Sequence, residues 1–461
     1  SFCREKPFSI RFGKRSMNHS FSKISRREFF KRTGVVSGGF ILAYSLPTLG
    51  RAEEPIVEST ELNAYIVIQE DGKILIYSGT PEMGHGIKTS LPMIVAEELG
   101  AAWEDVIVKQ TPEVNVEKYG RQSTGGSYTL YRNWNLMREM GATAREMLLE
   151  AGALLMEIPK SELEAVDSQV RHRVSDRSMS FAELASVAQK QAVPDSESLK
   201  FKPREDYRIL GTSKSQVDSL EIVTGIGDYG IDTKVKGMLF GCYEKCEAVG
   251  GRIVDANLTE IKRLPGIVDA YIVKGNGKPN ELMDGVGIVG TNTWSVFNAR
   301  KKLKASWDET QASKASWSEF KNFAKGASKE DSEDKINIGE INSVLTDPQN
   351  TVLESFYEYP YVSHLCLEPM NCTADYRKGE NGKPDHLEIW LPTQNGPRFQ
   401  KFAKDFYGLE QDQLTIHIKR MGGSFGRRNT NDYVSEAIEL SKRSGRPVKL
   451  TWSREDSMLS L

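Results

Sequence analysis

Hydrophobic and polar residues alternate over positions 62–79, "LNAYIVIQEDGKILIYSG", on both sides of the turn "EDGK", which predicts a β-hairpin. The period then changes. Apolar residues recur at helical spacing from Leu91 to Leu99 and again from Trp134 to Met156, with the alternating strand "EDVIVKQ" between them. Strand, helix, strand and helix make an α+β or α/β unit. From about 157 to 206 the pattern turns polar and irregular, with a short hairpin and helix in "SQVRHRVSDRSMSFAELA" and a linker in "PDSESLKFKPRED".

A second unit opens near Tyr207, where "YGIDTKVKGMLFGCYEKC", "EIKRLPGIVDAYIV" and "GVGIVGTNTWSVFNARKKLKASWD" again alternate strand and helix. The charged stretch from about 308 to 340 predicts a helix followed by a solvated linker. A third unit begins in "TVLESFYEYPYVSHLCLEPMNCTADYR", whose aromatic and β-branched residues predict strand. It continues through "HLEIWLPTQ" as strand, "PRFQKFAKDFYGL" as helix, "LTIHIKR" as strand and "NDYVSEAIELSKRSG" as helix.

A chain of 461 residues is long enough for two or more cores, so a single small module is excluded. With 39% hydrophobic residues, 27% charged residues and a net charge of -2, it is neither a disordered tail nor a broadly basic surface for nucleic acid. The five cysteines, Cys3, Cys242, Cys246, Cys366 and Cys372, include no paired CxxC units, which argues against a zinc or iron-sulfur site in this chain. No metal-ligating set is nominated. Near the N-terminus, Arg26 and Arg27 precede an apolar stretch from Val35 to Leu49 that is too short and too rich in glycine to span a membrane. Gly50 and Ala52 offer a small-residue cleavage site, so residues 1–52 read as a leader region holding a twin-arginine export signal over 17–52, with Met17 as the start. An amphipathic helix kept on the folded protein is the other reading. The export reading places the protein in the periplasm, with any cofactor inserted before export.

Three loops share one design, a strand followed by a bend rich in Gly, Ser or Thr and then a helix: "TPEMGHGIKTS" at 80–90, "RQSTGGSYTLYRN" at 121–133 and "RMGGSFGRRNTND" at 420–432. Glycine permits positive φ and lets peptide N–H groups approach a ligand, and a helix N-terminus favours anions. Taken singly, each loop reads more readily as a plain turn. None carries GxxxxGK[ST] or GxGxxG after a strand, which disfavours an ATP or nicotinamide enzyme. Together they predict a large anionic ligand clasped by amides and by the guanidinium groups of Arg427 and Arg428.

Seven segments, "PEMGHGIKTSLPMIVAEELG", "TGGSYTLYRNW", "VTGIGDYGIDTKVKGMLFG", "HLCLEPMNCTADYR", "LPTQNGP", "MGGSFGRR" and "PVKLTWSREDSM", occur in a familiar order. In this the chain resembles the large (beta) subunit of isoquinoline 1-oxidoreductase-like molybdenum hydroxylases, in the xanthine dehydrogenase and aldehyde oxidase superfamily. The resemblance implies an α+β and α/β multidomain fold, with xanthine-dehydrogenase-like molybdopterin-binding domains and an α/β hammerhead domain. It divides the chain into a molybdopterin-binding segment at 53–206, the hammerhead at 207–307, the charged linker at 308–345 and an incomplete molybdopterin-binding domain at 346–461. The implied cofactor is molybdenum-molybdopterin, in its cytosine dinucleotide form. Met83, Gly84 and His85 match one cofactor segment, Thr124, Gly125, Gly126 and Ser127 a second, and Gly422, Gly423, Ser424, Phe425 and Gly426, followed by Arg427, the loop beside the metal. His85 stands where relatives commonly carry glutamine, and Val362 where xanthine dehydrogenases place a glutamine near the metal.

By the same resemblance, the protein is a molybdenum-dependent oxidoreductase that oxidises an N-heteroaromatic compound or an aldehyde with water-derived oxygen. A carboxylate acts as base, and electrons leave to iron-sulfur clusters in a small partner subunit. Export points to a membrane-linked cytochrome as acceptor. The family's catalytic glutamate is expected beyond residue 461, so the catalytic residue is unknown here and this stretch alone is expected to be inactive. Glu82 and Glu368 flank matching motifs and read as loop organisers. The competing class is a non-catalytic periplasmic binding or scaffold relative without metal chemistry.

Overall fold

Gly72, at φ +86°, closes the turn of the first hairpin, where its N–H reaches Gln69 O at 3.0 Å. In this computed structural model, residues 59–459 are described, apart from 64, 331, 332, 334, 337 and 381. The leader region at 1–52 lies outside them. The hairpin strands β2 (Ile66–Gln69) and β3 (Ile74–Ser78) are flanked by β1 (Ser59–Asn63), antiparallel to β2, and β4 (Val106–Gln110), parallel to β3. Helix α1 (Ile87–Leu99) makes the crossover that a parallel pair requires. It packs Ile94, Val95 and Leu99 onto Ile66, Ile68, Ile74 and Ile76.

Helix α2 (Thr129–Met156) lies on α1 at a close approach set by Gly141. A Cβ there would stand 2.4 Å from Val95 O and 2.8 Å from Glu98 Cβ. The last turn of α1 carries two buried carboxylates, Glu97 and Glu98. Glu98 takes Arg138 Nε at 2.6 Å and Arg145 Nη1 at 3.1 Å, while Glu97 accepts the amides of Arg208, Ile209 and Leu210. The polar segment around 200–210 is thereby strapped across the helices, because a buried carboxylate must be paired to be tolerated. Strands β5 (Leu163–Val166), β6 (Gln169–His172) and β7 (Ser178–Ser180) form a small antiparallel sheet, followed by α3 (Phe181–Ala188), which Ser180 and Glu183 close with a capping box.

A seven-stranded sheet holds most of the rest. Its members are β8 (Leu239–Lys245), β10 (Ile267–Val273), β11 (Gly285–Gly290), β13 (Asn371–Arg377), β14 (His386–Leu391), β15 (Leu414–Ile418) and β16 (Val448–Thr451), in the order β10-β11-β8-β16-β13-β14-β15. Strand β16 runs parallel to β8 and antiparallel to β13, so strands from 239–290 and from 371–451 share one hydrogen-bonded ladder. Strands β9 (Arg252–Ala256) and β12 (Ala305–Asp308) pair separately, and α4 (Thr293–Arg300) covers β8 and β11. The charged stretch forms α5 (Trp317–Ala327). Helix α6 (Gly396–Tyr407) connects β14 to β15, and α7 (Asp432–Ser444) crosses the sheet. Leu440 of α7 sits where a Cβ at Gly241 or Gly287 would come within 2.8 Å or 2.1 Å of it, so those strand glycines admit the helix.

The strand expected across 351–377 begins only at Asn371. Residues 351–370 run without regular structure and leave Leu353, Phe356, Tyr357, Tyr359 and Val362 exposed. Aromatic and β-branched residues become strand where a neighbour takes up their peptide groups. Strand β13 has β14 and β16, whereas the preceding stretch has no ladder partner among the described residues.

The helix contact separates two opposing effects of glycine replacement. Overpacking a tight interface costs about 1–3 kcal/mol, whereas alanine gains about 1 kcal/mol over glycine inside a helix. Gly141→Ala is therefore expected to destabilise by up to about 2 kcal/mol, and Gly326→Ala in α5, where an added Cβ meets nothing within 4 Å, to stabilise slightly. Urea unfolding followed by circular dichroism reads both. A gain at Gly141 would show that α1 and α2 do not make this contact.

Candidate functional site

Every glycine-rich loop exposes peptide groups that need partners, and the three loops find them differently. In the first, the Glu82 carboxylate turns back on its own chain. Its Oε1 accepts from the amides of Gly84 at 2.6 Å, His85 at 2.9 Å and Gly86 at 3.2 Å, and Oε2 from Lys88 N at 2.9 Å. His85 Nδ1 lies 3.2 Å from Oε1. Positive φ at Gly84 (+104°) and Gly86 (+80°) allows the wrap. Burial pushes the Glu82 carboxyl up, but the bonds from His85, Lys88 and Gly84 outweigh it and hold the group at about 2. The amides of Gly84 and His85 are thus taken by the chain itself, with both residues at the surface and Met83 half-buried.

The second and third loops meet. Thr124 Oγ1 donates to Pro81 O at 2.9 Å, and Met421 N to Glu82 O at 3.0 Å, so both adjoin the first loop. Thr124 N donates to Gln394 O at 2.9 Å and Gln394 Nε2 to Thr124 O at 3.0 Å. On its other side Gln394 Oε1 accepts from Gly426 N at 3.0 Å and from Ser424 Oγ. The third loop is also fixed by Glu368, which takes Gly422 N at 2.8 Å on Oε2 and Ile231 N at 3.0 Å on Oε1. Thr124–Ser127 and Gly422–Gly426 therefore stand side by side, with Met83–His85 joined behind them.

Among the described residues, the peptide N–H groups of Gly125, Gly126, Ser127, Gly423, Ser424 and Phe425 have no partner. Ser127 (φ +56°) and Phe425 (φ +55°) hold left-handed backbone without being glycine, and the Phe425 ring is 70% exposed. Such conformations cost about 1–3 kcal/mol each and gather at ligand-binding sites. Gly125 is also telling. Its φ is not positive, and an added Cβ would touch only Gln394 Nε2, at 4.0 Å, so neither backbone nor packing requires glycine there.

The arginines depart from the sequence expectation. Arg427 and Arg428, read as hands for an outside anion, are buried and paired within the chain. Arg427 Nη1 and Nη2 meet Asp432 Oδ1 and Oδ2 at 3.0 and 2.5 Å, and its guanidinium lies over Trp452. Arg428 Nη2 meets Glu368 Oε2 at 2.9 Å, and its Nε donates to Gly423 O at 3.1 Å. Asp432, in the first turn of α7, offsets the unfavourable placing of cations at a helix start. The pair braces the third loop from behind. Gln394 is not singled out by the sequence, although it lies within "LPTQNGP"; its one signal is a polar Thr-Gln pair at the end of the apolar strand β14. Among the described residues, no group of three or more His, Cys, Asp or Glu side chains is placed to hold a metal ion.

Comparison with known proteins gives this geometry a context. The profile of the molybdopterin cofactor-binding domain matches residues 25–219, and a second profile of the same description matches 324–461. The chain is 26% identical over 483 residues to the beta subunit of isoquinoline 1-oxidoreductase from Brevundimonas diminuta, covering 95% of this chain and 60% of that protein. It is 28% identical over 453 residues to a subunit of nicotinate dehydrogenase from Pseudomonas putida, covering 95% and 36%. The chain thus spans less than two thirds of both relatives. Among solved structures, quinoline 2-oxidoreductase from Pseudomonas putida 86 aligns over 54% of this chain and 35% of its own, with a TM-score of 0.41 and 17% identity.

The Glu82 wrap carries a pH signature. A depressed carboxylate stabilises the fold fully above its ordinary value of 4.5 and loses that contribution as pH falls towards about 2. Glu82→Gln is expected to lower stability by about 2 kcal/mol at neutral pH. Its deficit against the parent should narrow below pH 4.5, as measured by denaturant midpoints across the range. A deficit that stays constant into acid would show that the charge on Glu82 does not hold the loop.

Proposed function

Because this chain belongs to the xanthine dehydrogenase family of molybdenum hydroxylases, as part of their large subunit, we propose that it holds the molybdopterin of an exported enzyme oxidising an N-heteroaromatic compound or an aldehyde. Six peptide N–H groups carry this reading, those of Gly125–Ser127 and Gly423–Phe425, unpartnered on two loops that Gln394 ties together. Such donors suit the phosphate and carbonyl oxygens of a pterin nucleotide, and the open space at Gly125 leaves room for it. The residues present therefore fit the group. When bound, molybdopterin supplies the redox centre that takes electrons from the substrate.

The chain's own residues orient and hold. Gly125, Gly126, Ser127, Gly423, Ser424 and Phe425 would donate to the cofactor. Glu82, Glu368 and Arg428 keep the loops in shape from behind without touching it. The exposed Phe425 ring offers a planar substrate an apolar face. In this proposal the pterin is a cytosine dinucleotide, whose pyrophosphate matches the amide-rich loops. A separate small iron-sulfur subunit, and beyond it a membrane-linked cytochrome, would accept the electrons. A separate subunit is supported by the four buried cysteines, none in a disulfide, and by the names of both relatives as subunits. Arg26 and Arg27 ahead of the Val35–Leu49 stretch support export to the periplasm by the twin-arginine route.

The test is compositional. Protein produced together with its partner subunit, in cells that make molybdenum enzymes, is expected in the periplasmic fraction with about one molybdenum per chain and to release cytidine monophosphate on acid hydrolysis. Protein without molybdenum or pterin under those conditions would overturn the reading. Gly125→Val is expected to shift the unfolding midpoint by no more than about 0.5 kcal/mol while removing most of the bound molybdenum. A stable variant with full molybdenum would remove Gly125 from the cradle.

A further inference from the structure

We infer that Gln394 is the positioning residue that sets the distance and facing of the two open loops. The inference rests on the reading of those loops as the cofactor cradle. Gln394 is 2% exposed and sits between the end of β14 and the start of α6, so its backbone is anchored in the sheet. All of its polar groups are engaged. Its N–H donates to Arg428 O at 3.1 Å and its carbonyl accepts from Thr124 N. Its side-chain amide reaches Thr124 O with Nε2 and accepts from Ser424 Oγ and Gly426 N with Oε1.

The chemistry of these partners fixes which way the amide faces. Thr124 O can only accept, so Nε2 must point to the second loop; Gly426 N can only donate, so Oε1 must point to the third. One planar amide therefore spans the two loops, a few covalent bonds from the strand end. The unpartnered amides of Gly125–Ser127 begin one residue past Thr124, and those of Gly423–Phe425 bracket Ser424 and end one residue before Gly426. With every polar group engaged within the chain, Gln394 has none left to offer a ligand. It acts through Thr124, Ser424 and Gly426, and the spacing of both donor sets follows from its length.

The replacements that test this differ in one property each. Gln394→Asn keeps donor and acceptor but is one methylene too short for both loops. Gln394→Glu keeps the length; as a carboxylate it faces Thr124 O with an acceptor, and when protonated it regains a donor on one oxygen and an acceptor on the other. Amide hydrogen exchange of cofactor-free protein is the first readout. Gln394→Asn is expected to raise exchange at the bonded amides of the two loops, Thr124 and Gly426, together by about 10-fold, leaving the amides of α7 unchanged. The second readout is cofactor release from the loaded protein with its partner subunit, expected about 10- to 100-fold faster in both variants at neutral pH. For Gln394→Glu, release is expected to slow towards the parent rate in mild acid. The molybdenum electron-spin resonance signal is expected to shift in Gln394→Asn.

The outcomes separate cleanly. Parent protein without molybdenum sinks the cofactor reading, whatever the exchange data show. Parent protein loaded with molybdenum, with both variants matching it in release rate and resonance signal, overturns the role of Gln394. Exchange that rises in only one loop, or throughout α7, would assign the residue to general stability instead.

Discussion

A peptide N–H removed from water must find an acceptor or lose about 1–3 kcal/mol. That constraint shapes this protein around three side chains, Glu82, Glu368 and Gln394. Each is buried, each sits at or near the end of a regular element, and each directs its polar atoms to the backbone of a glycine-rich loop. Glu82 takes four amides of its own loop, and Glu368 joins the third loop to the 230s through Gly422 and Ile231. Gln394 joins the second loop to the third. Glycine gives these loops their shape, and the buried acceptors stabilise it.

Behind the loops lies a layer of buried charge that depends on the large sheet. Arg427 meets Asp432, Lys245 of β8 meets Glu436 of α7 at 2.9 Å, and Trp452, just past β16, donates to Glu436 at 2.6 Å. Arg300 of α4 meets Asp456 Oδ2 at 2.6 Å. The Lys245–Glu436 and Arg300–Asp456 pairs connect the chain around 239–300 to the chain after 420, which is why a sheet shared by both matters for the site. Burial pushes Glu436 up to about 7, against the opposing pull of Lys245. Breaking one member of such a set leaves a charge without its partner in a dry place, a loss on the order of 3–5 kcal/mol. The third loop is held in place by neighbours that are costly to separate.

Most of the elements were legible from periodicity. The hairpin around Gly72, the helix ending at Leu99 and the strand-helix-strand run from His386 to Ile418 follow from local pattern alone, because local spacing decides which face each residue presents. The three loops were visible as glycine and serine where strands end. Two things were not. The partners of Arg427 and Arg428 could not be assigned, since a carboxylate five residues away and another sixty away look alike in sequence until the chain folds. The stretch from 351 to 370 has strand composition but no strand, because a ladder is a property of two segments and composition describes one.

The same constraint divides the three loops by role. A loop whose amides are all taken by the chain is finished, and the first loop is close to that state: a ligand that bound the amides of Gly84 or His85 would first have to displace a buried carboxylate. The second and third loops keep six unpaired donors, and two of their residues hold costly left-handed backbone. Unpaired donors beside a surface are tolerable while water reaches them, and they bind tightly when an anion replaces that water. The division follows from where the acceptors sit. Glu82 lies inside its own loop and closes it, whereas Gln394 lies between two loops and holds their remaining donors side by side.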